Sequence, residues 1–301
     1  MKHFGLKTLL LGILMSFVLV SCNETTTPNN NTKPKPNAPT NLRATSKAAD
    51  KIILKWNLST SESDSKFTGY ILEIAPGTFL PQKLQKGIDT YMVTGLTEGT
   101  VYTFKVYSVM DSVESDTAAS VDWSPATRFD TTSSGNPIRV YETASDFGSG
   151  LDLYDEVDHG PKTYTVANGA KWNLALDTRT SGQIIVASPN QVDYNYGTQP
   201  GVTEISNKAW ENASSLDDVF DSDALNTGTF LERSYDLEKD FTTNIGVVLV
   251  LRTKEGTNLE YTYAKVLIKK VNGSWLQGPL GNRYIECVVS YQKTPGVPFA
   301  L

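Results

Sequence analysis

Side chains able to do chemistry are scarce in this 301-residue chain, and that scarcity decides much of its reading. There are two Cys and two His. His3 and Cys22 fall in the N-terminal segment, which leaves His159 and Cys287 for the rest. A zinc centre built from Cys and His takes three or four such ligands, so none forms here without several carboxylates standing in. With one thiol left past the N-terminal segment, no internal disulfide is expected, and any core must be held by packing. The candidate ligand-binding side chains are His159, in DEVDHG, and Tyr194 and Tyr196, in VDYNYG. The two tyrosines read as exposed aromatics on a polar loop, where a phenol can stack on a flat ring or, once ionised, hold ferric iron.

Other constellations are weaker. Asp152, Asp155, Glu156 and Asp158 form an acidic run without the Gly and closing Glu of a calcium loop, and read as a solvated charged loop. Asp221-Ser222-Asp223 fails the same test, since Leu225 stands where a third oxygen belongs. Asp146-Phe147-Gly148 carries three letters of the kinase metal motif and none of its context. His159 has no nucleophile elbow beside it, so the chain reads as a binding protein and not an enzyme; hydrolysis by paired carboxylates is the catalytic reading that abundance of Asp and Glu leaves open. A formal charge of −6 and a pI near 5.1 offer phosphate backbones nothing to hold, which argues against nucleic acid.

The N-terminus reads as an export signal. Lys2, His3 and Lys7 precede an apolar run, Leu9 to Val20, too short for a permanent span of ~20 residues. The run ends in Leu19-Val20-Ser21-Cys22, which resembles the bacterial lipobox. That resemblance implies a lipoprotein signal peptide over residues 1–21 and a diacylglyceryl group on Cys22. Acyl chains contribute ~0.8 kcal/mol per buried methylene, so several on one residue anchor the chain to a membrane without spanning it. Residues 22–36 read as a disordered, Pro- and Lys-containing stalk. Asn23 stands where some Gram-negative bacteria place the Asp that retains lipoproteins in the inner membrane, so the expected location is the cell envelope at the outer membrane, with its face unassigned.

These candidates must be positioned by strands. With Gly at 22, Pro at 14 and Tyr the commonest aromatic residue, the composition favours short strands and an all-β fold. From residue 37 to about 132 the pattern has period two: Ile52, Leu54 and Trp56; Tyr70, Leu72 and Ile74; Tyr102, Phe104 and Val106. Pro36, Pro39, Leu42, Trp56, Tyr70 and the stretch Leu96 to Tyr102 together resemble a fibronectin type III domain. The resemblance implies a β-sandwich with a tyrosine corner, in which the Tyr102 hydroxyl returns to upstream backbone. Glu98 stands where that family has Pro. No site is visible in this segment, which reads as a spacer or docking module.

After the break Asp130 to Asn136, a second all-β domain is expected over residues 137–301. Strands are read at Lys162–Val166, Ala170–Leu176, Gly182–Ala187, Ile245–Arg252, Glu260–Val271 and Arg283–Tyr291. The nearly continuous apolar run from Ile245 to Leu251 predicts a strand covered on both faces. Asn168-Gly169 and Asn272-Gly273 predict tight hairpin turns. Asn190 to Asp240 reads as a long polar loop with at most a short helix near Leu216 to Phe220, and loops of that length usually serve a function.

Trp172-Asn173-Leu174-Ala175-Leu176, Val250-Leu251-Arg252-Thr253-Lys254-Glu255-Gly256, Tyr263-Ala264-Lys265-Val266 and Val289-Ser290-Tyr291-Gln292 resemble motifs of the HmuY haem-binding lipoproteins. Asn173 and Leu176 depart from that pattern, where Asp and an aromatic residue are usual. The resemblance implies capture of haem, or a related hydrophobic ligand, from the surroundings or a host haemoprotein, and delivery to an outer-membrane transporter. Its haem-binding members clamp iron between two His or Met side chains. From Asn136 onward this chain has one His and no Met. His159 alone, His159 with a tyrosine, tyrosine alone, or no iron ligation all remain. The alternative is a structural or adhesive surface lipoprotein, or a carbohydrate-binding module, that has lost haem ligation.

Overall fold

The alternation of apolar and polar residues becomes paired strands in the computed structural model, which describes residues 33–220, 229–254 and 259–299. The chain divides into two units, residues 1–33 and 34–301; apart from Lys33, the described residues belong to the second. The fold is all-β.

The first sandwich contains β1 (Thr40–Ala48), β2 (Lys51–Asn57), β3 (Phe67–Ala75), β4 (Gln82–Gln85), β5 (Thr90–Thr94), β6 (Tyr102–Met110), β7 (Val113–Glu114) and β8 (Ala119–Trp123). One sheet has the order β1-β2-β5; the other runs β4-β3-β6-β7, with β8 also on β6. Ile52, Leu54, Trp56, Tyr70, Leu72, Tyr102, Phe104 and Val106 all point into the core, as their spacing predicts, while Ile74 packs at its edge.

The second sandwich follows with β9 (Thr127–Phe129), β10 (Ile138–Tyr141), β11 (Gly150–Asp155), β12 (Gly160–Tyr164), β13 (Leu174–Asp177), β14 (Ile185–Ala187), β15 (Val202–Glu211), β16 (Phe230–Leu231), β17 (Ser234–Asp236), β18 (Gly246–Lys254), β19 (Thr262–Lys269) and β20 (Tyr284–Gln292). Its larger sheet has the order β10-β20-β19-β18-β15-β16, with β9 also on β20; the smaller runs β12-β11-β13-β14-β17. Strand β9 lies within the segment that the sequence assigns to the first domain, yet it hydrogen-bonds the second. Ile138, Leu151, Leu174, Val186, Val247, Leu249, Val266, Ile285 and Cys287 fill the space between the sheets. The Cys287 thiol is fully buried there.

Two local expectations are corrected. Asn168-Gly169 is not a hairpin turn; it lies inside a 3-10 segment, Val166–Lys171, and the strand after it starts only at Leu174. Asn168 has φ −109°, far from the left-handed pair that a tight hairpin demands, whereas Asn272 and Gly273 adopt φ +51° and +77° and form one. The stretch from Asn190 to Asp240 is also not a long loop. It contributes the ten-residue β15, paired with both β18 and β16. Its inward residues include Thr203 and Ser206, buried hydroxyls that disguise a core strand as polar sequence. The short helical turn is present at Leu216–Asp218.

Strand β18 is covered on both faces, as its apolar run predicts. Val247, Leu249 and Leu251 face the second core. Val248 lies beneath Leu216 and Val219, and Val250 lies in the core of the first sandwich.

Candidate functional site

Trp172 is completely buried, and Gly150 makes that possible: a Cβ there would sit 1.8 Å from the indole. Tyr194 and Tyr196 pack edge-on against it, each with its ring centroid 5.3 Å away. The expectation of an exposed aromatic pair is therefore corrected, because both rings are half-buried. The Tyr194 hydroxyl donates to the Leu176 carbonyl at 2.8 Å, and the Tyr196 hydroxyl to the Pro189 carbonyl at 2.8 Å. Burial, and then the neighbouring Tyr194, push the Tyr196 phenol well above its ordinary 10. Both phenols hold their protons near neutrality and spend them on backbone oxygens, an arrangement that fixes a loop and leaves no phenolate for a metal.

His159 occupies the turn between β11 and β12, exposed and with φ +54°. Among the described residues no hydrogen bond or ring contact joins it to Tyr194 or Tyr196. The acidic run beside it is not a solvated loop, since Asp152 and Asp155 are buried. Burial alone would raise the Asp155 carboxyl. The Tyr164 hydroxyl at 2.6 Å, the amides of Asp158 and Val157, and Lys171 together hold it down at about 2. These carboxylates shape the hairpin. Among the described residues no group of three or more His, Cys, Asp or Glu could hold a metal ion. Cys22, the lipidation candidate, and Asp221-Ser222-Asp223 lie outside the described residues. Among the described residues no helix is long and apolar enough to cross a membrane.

In the first sandwich the Thr97 amide donates to the Tyr102 hydroxyl at 3.1 Å, the return bond of a tyrosine corner. Residues 37–122 match the family model for the fibronectin type III domain. This segment is a fibronectin type III domain. Solved structures similar to it include the fibronectin type III domain of a human fibronectin type III domain containing protein, at 24% identity over 33% of this chain and 93% of that one, with a TM-score of 0.27. A Fn3-like protein from Clostridium thermocellum is 22% identical over 30% of this chain and 92% of that one, with a TM-score of 0.23. The FN5 domain of Drosophila Lar is 20% identical over 30% and 96%, with a TM-score of 0.24. No curated protein matches the chain.

The most elaborate polar cluster lies between the fibronectin type III domain and the second sandwich. Residues directly opposed across the larger sheet, Val250, Lys265, Ser290 and Arg128, form one row on its outer face. Val250 enters the fibronectin core beside Phe230. Lys265 is fully buried, and its ammonium donates to Thr45 Oγ1 at 2.9 Å and to the carbonyls of Leu216 and Val219 at 3.1 and 3.3 Å. Burial, with Arg128 adding repulsion and Asp217 opposing it, lowers its pKa from 10.5 to about 7. Asp217 itself pairs with both Lys47 and Arg128.

A second clasp starts from the residue that breaks the family pattern. Glu98 accepts from the Thr127 amide and hydroxyl, both at 2.9 Å, and pairs with Lys293 at 3.0 Å. Beside it Gly99, at φ +81°, lets the C-terminal segment approach so closely that a Cβ would meet Thr294 Oγ1 at 2.2 Å. Phe299 closes the contact against Trp123, with ring centroids 5.3 Å apart. None of these joint residues is assigned by the sequence reading. Two signals were present: Glu98 in place of Pro, and a lysine in the middle of the apolar strand Ala264-Lys265-Val266-Leu267-Ile268.

Proposed function

We propose that the chain is an envelope lipoprotein, tethered through Cys22, whose folded part is a rigid, non-catalytic adhesive or structural head. The observation that carries this reading is the joint. A module that only spaces its neighbour meets it over a modest, polar contact and swings freely. Here Val250 and Phe230 of the second sandwich belong to the fibronectin type III core, and β9 runs on directly from that domain into the second sheet. A joint that shares an apolar core and surrounds it with buried hydrogen bonds and ion pairs holds two sandwiches in one orientation, which suits a head that must keep hold of a partner under load. The haem reading implied by the HmuY-like motifs has less support, because His159 stands alone on an exposed turn and the hydroxyls of Tyr194 and Tyr196 serve backbone carbonyls.

The test compares cells displaying the full chain with cells displaying Cys22→Ser, scored for retention under shear on a polysaccharide-coated surface. Retention that depends on the chain, and that disappears in Cys22→Ser as the head is shed, is the expected result. The full chain in detergent is titrated with ferric haem in parallel. A saturable Soret shift that weakens in His159→Ala would overturn the adhesive reading in favour of haem capture.

A further inference from the structure

The open side of the second sandwich, where β10 ends the larger sheet and β12 ends the smaller, holds a cleft of about 400 Å³. That size lies within the range of small-molecule sites. Ile138 and Val140 turn into the core, so strand alternation turns Arg139 and Tyr141 outward. The Arg139 guanidinium lies 4.2 Å over the ring of Tyr284, and its Nε is buried without a hydrogen-bond acceptor. Among the described residues no carboxylate pairs with it. Glu286, its cross-strand neighbour, is taken by Lys269 at 2.9 Å, and Asp158 on the far wall is taken by Lys162 at 2.7 Å. Phe147 is 60% exposed at the rim, its ring centroid 5.0 Å from that of Tyr141. Ser133, Asn136 and Thr163 are among the polar residues that line it.

We propose that this cleft binds the carboxylate of an acidic saccharide, with Arg139 taking the carboxylate and Phe147 and Tyr141 taking the apolar face of the sugar ring. A guanidinium presents a planar fork that matches a carboxylate in two parallel hydrogen bonds. The exposed Phe147 ring, with the half-buried Tyr141 ring beside it, suits a sugar ring that is apolar on its faces and polar around its edge. The lining also disfavours the competing occupant, an acidic peptide added as a strand. Pro137 precedes β10 and Pro161 lies within β12, and proline interrupts the ladder that an added strand requires. The proposal names the ligand class of the adhesive reading and rests on it.

The experiment is calorimetric titration of the full chain in detergent with tetragalacturonate, with its methyl ester, which keeps the rings and loses the charge, and with tetraglutamate. Saturable binding of the acid is expected, about tenfold weaker for the ester, as loss of a charge-assisted hydrogen bond predicts. Arg139→Gln should weaken the acid by about the same factor and leave the ester unchanged, while Phe147→Ala should weaken both alike. An unchanged thermal midpoint establishes that each variant is folded. Equal affinity for acid and ester, indifference to Arg139→Gln, tighter binding of tetraglutamate, or no binding at all would each overturn the site. Saccharide binding without cell retention would leave the site standing and remove the adhesive reading; retention without saccharide binding would do the reverse.

Discussion

Lys265 of the second sandwich donates a 2.9 Å hydrogen bond to the hydroxyl of Thr45 in the fibronectin type III domain, between strands 220 residues apart in sequence. The same ammonium is buried enough that its proton leaves at about pH 7, against 10.5 for a solvated lysine. Above pH 7 the unfolded chain therefore holds a proton that the folded chain has lost, and raising the pH favours the folded state. Stability should climb as the pH rises from roughly 7 to 9, with a slope approaching that of one proton lost by the folded chain alone. Above 9 the buried Cys287 thiol, pushed up to about 12, works in the opposite direction. Lys265→Met should abolish the climb, read as urea midpoints at several pH values between 7 and 9.

Continuity of the core at Val250 makes a calorimetric prediction. The folded unit should melt in one transition. Val250→Asp places an unpaired carboxylate in the fibronectin core, should cost about 3 kcal/mol or more, and should split the trace in two as each sandwich melts alone. Val250→Ala, which only leaves a cavity, should lower the midpoint and keep one transition.

Glu98 is expected to act at the joint more than within its own turn. Glu98→Ala leaves the Thr127 amide and Lys293 without their acceptor, a loss of roughly 1–3 kcal/mol. The Thr127 amide should then exchange its hydrogen faster than in the parent chain, while the Thr97 amide, held by Tyr102, keeps its protection.

Asp155 should be felt in acid. Its carboxyl titrates at about 2 when folded and at an ordinary 3.8 when unfolded, so its contribution is complete above 3.8 and is lost as the pH falls through 2. Asp155→Asn should cost about 2 kcal/mol at pH 6, and the deficit against the parent chain should narrow toward pH 2. Thermal midpoints of both chains across that range check it.

Legibility followed burial chemistry. The fibronectin strands could be read because their inward positions are large and apolar at every second residue, as in Tyr102, Phe104 and Val106. Strand β15 could not, because it buries Thr203 and Ser206, whose hydroxyls look like loop. Tyr194 and Tyr196 were legible as residues of note and misjudged in exposure: Asp193 and Asn195 between and beside them do face solvent, and Trp172, which turns both rings inward, lies some twenty positions upstream. The joint was hidden for a different reason. Thr45 and Asp217 are unremarkable in their own neighbourhoods, Glu98 and Lys265 stand out without naming a partner, and only the closing of two sheets brings the four together. Arg139 was hidden as well, because an isolated arginine in a strand says nothing about whether an acid lies within reach.

Cys287 on β20 pairs across the sheet with Ile138 of β10, its thiol sealed from solvent and far too weakly acidic to ionise at neutral pH. Sulfur exchanges through its thiolate, so a second copy of the folded unit meets no reactive thiol at Cys287 with which to form a disulfide.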